Sequence, residues 1–163
     1  MPERLQISVI GKGASDAELA PLAEEVGRRL AQAGVVVVCG GRGGVMEAAA
    51  RGAREAGGDV IGILPGADPR EANPETTHVV ATGIGHARNL AVVASGDAVI
   101  AIGGEWGTLA EIAFARRLER TVVGLRSWAL DGSGAMEGAP GIEPVADPAA
   151  AVELALRSAR AGT

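Results

Sequence analysis

Short apolar runs alternate along the chain with longer segments whose apolar residues recur every three or four positions. "LQISVIG" (Leu5–Gly11), "VVVVC" (Val35–Cys39), "DVIGILP", "HVVATGI", "DAVIAIGG" and "RTVVGL" have the length and residue types of strands. Val35–Cys39 is apolar at every position, the pattern of a parallel strand covered on both faces. After the first strand, Leu19, Leu22, Ala23, Val26 and Leu30 share one face of a predicted helix. Ser15 and Glu18 have capping-box spacing at its start, and Gly34 ends it. Further helices are predicted after "GGRGG", over "GHARNLAVVASG", after "GGEWG", and over the final "PAAAVELALRSARA". "GADPREANPETTH" reads as a polar loop. The Gly/Pro-rich stretch from Ser127 to Pro148 is either a lid, with Trp128 and Met136 as its large apolar groups, or a long connection. The alternation predicts an α/β fold: a single-domain, doubly wound parallel sheet over residues 1–163, with helices on both faces.

Composition narrows this picture. Apolar residues make up 47% of the 163 positions but aromatics only 2%, so the core must be built from Val, Ile, Leu and Ala. The net charge is −5 with no basic run, which argues against long nucleic acids as partners. A small phosphorylated ligand needs only one or two local cations. The single cysteine, Cys39, rules out an intramolecular disulfide and fits a small buried strand-end residue. His78 and His86 are too isolated to predict a metal site. No apolar run reaches the ~18–20 residues of a membrane span. The N-terminus runs directly into a strand, so the expectation is a cytoplasmic protein without a membrane partner.

Candidate chemistry lies in three glycine-rich loops, each following a predicted strand: "GKGAS", "GGRGG" and "GGEWG". In open α/β sheets that edge is where ligands bind. A helix N-terminus offers unpaired amides to an anion, and glycine lets the backbone approach closely. The candidate ligand-binding residues are Gly11 and Gly13 from the first loop, and Gly40, Gly41, Arg42, Gly43 and Gly44 from the second. The third contributes Gly103, Gly104, Glu105, Trp106, Gly107 and Thr108. Two common nucleotide fingerprints are absent. Lys12, the only lysine, does not stand in a GxxxxGK[ST] loop, and "GKGASD" lacks the third glycine of a dinucleotide site. Several of these residues have a second reading. Thr108 and Glu111 have capping-box spacing, Arg88 fits an ordinary helix arginine, and Arg42 fits a solvated loop. Trp106 is either an exposed loop residue or a wall for a flat ring.

Taken together, three segments resemble the Lonely Guy family. "CGGRGGVMEAAARGA" is similar to that family's GGGxxGxM segment with its helix, and "GHARNLAVVASGDAVIAIGGEWGTLAEI" to its MxxRK helix followed by PGGxGTxxE. The resemblance spans roughly residues 5–125. It implies a Rossmann-like fold, a homodimer or larger homo-oligomer, and cleavage of the N-glycosidic bond of a nucleoside 5′-monophosphate. The products of such a phosphoribohydrolase are free base and ribose 5-phosphate. By the same resemblance the phosphate falls on the Gly103–Thr108 turn, with Arg88 and Glu111 as the catalytic pair. A carboxylate beside an oxocarbenium-like centre and an arginine near phosphate or base fit that chemistry. This chain departs from the motif at Ile102 for proline, Gly85 for methionine and Asn89 for lysine, and Ala110 stands where many members carry a second acid. Those departures resemble a bacterial branch of the superfamily that is also similar to molybdenum cofactor carrier proteins. That likeness implies a pterin monophosphate held as cargo without turnover, and no required cofactor. The lysine decarboxylase label often given to the family does not fit, because Lys12 is a poor pyridoxal-bearing residue. The Ala-rich helices "AAARGAREAG" and "LAVVASG" are candidates for burial between subunits or within one chain.

Overall fold

A computed structural model describes residues 4–130 and 141–162. Seven strands form one parallel sheet: β1 (Gln6–Gly11), β2 (Val36–Cys39), β3 (Val60–Leu64), β4 (His78–Ala81), β5 (Ala98–Ile102), β6 (Val122–Leu125) and β7 (Glu143–Val145). Their spatial order is β4-β3-β2-β1-β5-β6-β7. The chain winds outward in one direction from β1 to β4, then restarts at β5 on the other side of β1. The topological switch point therefore lies between β1 and β5, which pair from Ile7↔Ala98 to Gly11↔Ile102.

The helices are α1 (Leu19–Gln32), α2 (Val45–Glu55), α3 (Arg88–Ser95), α4 (Trp106–Arg117) and α5 (Pro148–Ala161). Helices α1, α2 and α5 cover one face, with Val26, Leu30, Ala49 and Ala155 packed on Ile7, Val9, Val37 and Ile100. Helices α3 and α4 cover the other, with Val92, Val93 and Ile112 against Ile10, Val38 and Val99. Each buried Val, Ile or Leu contributes about 1.5–3 kcal/mol from apolar area removed from water. The doubly wound sheet with helices on both faces is the architecture that the alternating pattern predicts.

At four places the structure changes or completes the sequence reading. Helix α1 is capped by Asp16, whose Oδ1 accepts from the Glu18 and Leu19 amides at 3.0 and 3.1 Å, and the Ser15–Glu18 box does not form. Asp16 is shorter than Glu18 and one residue closer to the first turn than Ser15. The alanines of α2 are consumed within the chain. A Cβ on Gly52 would stand 1.8 Å from the Glu24 carbonyl, and one on Gly27 1.9 Å from that of Ala49, so α1 and α2 touch backbone to backbone. The outer side of α3 and α4, by contrast, leaves Leu90, Phe114 and Leu118 exposed. The segment 127–148 is not wholly irregular. Glu143–Val145 adds a seventh strand beside β6, and its three residues with a central proline were too short for a strand pattern. Met136 lies outside the described residues.

Candidate functional site

The carboxyl ends of β1, β2 and β5 converge on one cleft of about 180 Å³ beside the switch point. Its floor is apolar, made by Val9, Ile10 and Met46. Gly11, Gly13 and Gly40 form backbone walls, Glu105, Gly107, Thr108 and Glu111 come from the start of α4, and His86, Arg88 and Asn89 come from the start of α3. Of the residues singled out from the sequence, the cleft thus gathers Gly11, Gly13, Gly40, Arg88, Glu105, Gly107, Thr108 and Glu111.

The "GGEWGT" turn is built around backbone that favours glycine. Gly103 has φ +60° and Gly104 φ +150°, and α4 begins directly afterwards at Trp106. The start of α4 decides the role of Glu111. Thr108 is the third helical residue, and its hydroxyl accepts from the Glu105 amide at 3.4 Å. The reciprocal cap therefore joins Glu105 and Thr108, one turn earlier than a Thr108–Glu111 box requires. Glu111 lies in the second turn and is released for the cleft.

Arg88 meets it there. Nη1 of Arg88 stands 3.9 Å from Oε1 of Glu111, with only 11% and 9% of the two side chains exposed. That is an ion pair but too long for a hydrogen bond. Arg88 Nε is buried without a partner, although a guanidinium carries five donors. Gly40 explains how the arginine reaches this place, because a Cβ at that position would lie 2.2 Å from Nη1. Burial raises the Glu111 pKa to about 7, against which Arg88 acts only partly. Burial likewise lowers that of Arg88, with Glu111 opposing. Cys39, fully buried at the end of β2, has its thiol pushed up to about 11 by desolvation and is an inert thiol at neutral pH.

Other candidates lie apart from the cleft. Arg42 Nη1 pairs with Glu71 at 2.8 Å in a separate, open depression with Gly43 and Asn73. Gly41 and Gly44 shape the β2–α2 loop without lining the cleft, and Gly103 and Gly104 do the same for the β5–α4 turn. Trp106 is 77% exposed and packs against Trp128 with ring centroids 5.6 Å apart and the planes tilted by 36°, instead of lining the cleft. Sequence reasoning did not single out Val9, Ile10, Met46 or Asn73. Val9 and Ile10 lie inside a predicted strand, Met46 stands on the methionine of the GGGxxGxM motif, and Asn73 falls in the polar loop "GADPREANPETTH". Among the described residues there is no His/Cys/Asp/Glu group able to hold a metal ion, and no helix long and apolar enough to cross a membrane.

A switch-point cleft with glycine-rich walls and a buried arginine–glutamate pair is the candidate site of this Rossmann-like protein. Residues 4–151 match the SLOG cluster4 family, and the chain belongs to that family. It is similar in structure to the molybdenum cofactor binding protein of the phototrophic bacterium Rippkaea orientalis. The TM-score is 0.88 at 31% identity, covering 96% of this chain and 98% of the other. The molybdenum cofactor carrier protein of Chlamydomonas reinhardtii gives a TM-score of 0.86 at 31% identity, with the same shares covered. In sequence, the chain is 38% identical over 93 residues to a probable cytokinin riboside 5′-monophosphate phosphoribohydrolase of Oryza sativa subsp. japonica. That match takes in 55% of this chain and only 38% of the relative.

Proposed function

We propose that this protein binds a small phosphorylated heterocycle in the β1/β5 cleft and acts as a carrier, with the molybdenum cofactor as its cargo. The observation that carries the reading is the unfinished pair lining the cleft. Arg88 is buried, its Nε has no partner, and it stops short of Glu111. Buried donors are ordinarily satisfied, and an anion beside Arg88 would satisfy them. At about 180 Å³ the cleft is smaller than the ~300–1,000 Å³ of drug-sized sites. It therefore takes the charged end of the ligand, with the ring toward the mouth at His86 and Asn89. The near full-length likeness to proteins described as binding or carrying molybdenum cofactor favours the pterin monophosphate.

One observation favours a second reading, hydrolysis of a nucleoside 5′-monophosphate. A carboxyl with a pKa near 7 exchanges its proton at working pH. Ionised, it stabilises positive charge at C1′ and orients the water whose oxygen replaces the base nitrogen, while the base leaves with a proton. Ala110 supplies no second acid, which weighs toward the carrier.

Incubation with a panel of nucleoside 5′-monophosphates and, separately, with molybdopterin tests both. The carrier reading expects a retained ligand and no free base or ribose 5-phosphate. Base release by the wild type that is lost in Glu111→Gln would establish the hydrolase instead. Failure to bind any of these ligands contradicts both readings.

A further inference from the structure

The β2–α2 loop, "GGRGG", has four glycines in five residues and almost no side chains with which to hold itself. Glycine loses more conformational freedom on ordering than any other residue, so such a loop needs an anchor from outside. Beside the Arg42–Glu71 ion pair and the Val45 amide bonded to the Lys12 carbonyl, one residue supplies most of it. Asn73, in the β3–β4 connection, is 8% exposed. Its backbone N–H donates to the Gly41 carbonyl at 2.9 Å and its Nδ2 to the Arg42 carbonyl at 2.8 Å. Its Oδ1 accepts from the Glu75 amide at 3.1 Å, and its own carbonyl accepts from Thr76 Oγ1 at 2.9 Å. Every polar group of Asn73 is thereby engaged, and two of them hold successive carbonyls of the loop.

The consequence reaches the cleft through the loop's first residue. Gly40 packs on the Arg88 guanidinium, and Met46, just beyond the loop, forms part of the cleft floor. Cys39 lies directly before Gly40 and is fully buried. Among the described residues every peptide bond is trans, so the Arg42 and Gly43 amides turn away from the two carbonyls that Asn73 holds.

We infer that Asn73 is a positioning residue of the cleft: it pins the β2–α2 loop so that Gly40 stays against Arg88 and closes over the end of β2. Its effect on affinity rests on the ligand reading above; the pinning of the loop does not.

Asn73→Asp isolates the effect. Aspartate keeps the size and the acceptor for Glu75 but replaces the Nδ2 donor with an oxygen facing the Arg42 carbonyl. Thr77→Val is the control. It removes the Thr77 hydroxyl's contacts with the Val60 amide (2.8 Å) and carbonyl (3.0 Å), in the same connection but away from the glycine loop. Two readouts are taken well below global unfolding: native-state labelling of Cys39 with a disulfide reagent, and calorimetric affinity for adenosine 5′-monophosphate. Asn73→Asp is expected to label at least tenfold faster and bind at least tenfold more weakly than wild type, and Thr77→Val to stay within twofold in both. Asn73→Ser, smaller and uncharged, loses the same donor and is read identically if the aspartate variant does not fold. Equal labelling in the Asn73 and Thr77 variants overturns the inference. Absence of wild-type binding to this nucleotide counts against the nucleotide form of the ligand reading, and the labelling comparison still decides the role of Asn73.

Discussion

On the α1–α2 surface, Arg28 reaches Glu25 at 2.6 Å and Glu24 at 3.1 Å, while at the cleft Arg88 and Glu111 remain 3.9 Å apart. The first group has good geometry and stays in contact with water, about a third of each side chain being exposed, so screening and lost side-chain entropy keep its contribution small. The second is buried with poor geometry, where desolvation is costly and incompletely offset. Good geometry marks the arrangement that matters less. A loose pair kept out of water leaves donors and charge for something else to satisfy, which is what a binding site for an anion requires.

The largest expected effect concerns what joins α1 to α2, since the Arg28 pairs with Glu24 and Glu25 lie within α1. Gly52→Ala places a methyl 1.8 Å from the Glu24 carbonyl and forces the helices apart. It should cost about 3 kcal/mol or more in urea unfolding, toward the upper end for overpacking. A loss below about 1 kcal/mol would mean that the backbone contact yields easily and that the surface charges carry more than stated.

Glu111→Gln comes next. Between the usual carboxyl value of 4.5 and about 7, the folded chain keeps a proton that the unfolded chain has released. Stability therefore falls as pH rises through that window and levels off above it. A rise from 4.5 to about 7 corresponds to about 3 kcal/mol at most. The variant should lose this fall, so that at pH 8 it is the more stable protein, while at pH 4 the two are nearly equal. A variant less stable than wild type at pH 8 would show the Arg88–Glu111 pair to be a net stabiliser.

Arg88→Met should weaken binding of adenosine 5′-monophosphate at least ~30-fold, about 2 kcal/mol for removing a buried charge partner. It should also move the Glu111 carboxyl above 7, since Arg88 is what opposes its burial; carboxyl NMR reads this directly. Unchanged affinity would put the ligand elsewhere. Smallest of all, Arg28→Ala should cost less than about 1 kcal/mol, and the difference should shrink in 1 M salt.

The fold was legible because its strands are short apolar runs rich in Val and Ile, and α1 and α2 carry a clear 3.6-residue period, both of which survive packing. β7 was not, because three residues around Pro144 have no periodicity to read. The Arg88 and Glu111 positions were visible through the resemblance of their surrounding motifs, but local spacing pointed Glu111 to a cap. Only the helix start at Trp106, with Thr108 reaching back to Glu105, frees it. The separation of Arg42 from the cleft depends on Glu71, 29 residues away, and the anchoring by Asn73 depends on two carbonyls from a different loop. Contacts of that kind leave no trace in local patterns.

The most direct test is calorimetric titration of wild type and Glu111→Gln with adenosine 5′-monophosphate and with molybdopterin at pH 8, each in two buffers of different ionisation enthalpy. At that pH the ligand phosphate is fully ionised, its second pKa being about 6. An anion placed against Arg88 should draw a proton onto Glu111. The account predicts saturable binding of at least one ligand, with proton uptake in the wild type and none in Glu111→Gln. Binding with no proton uptake, or no binding of either ligand, would contradict it.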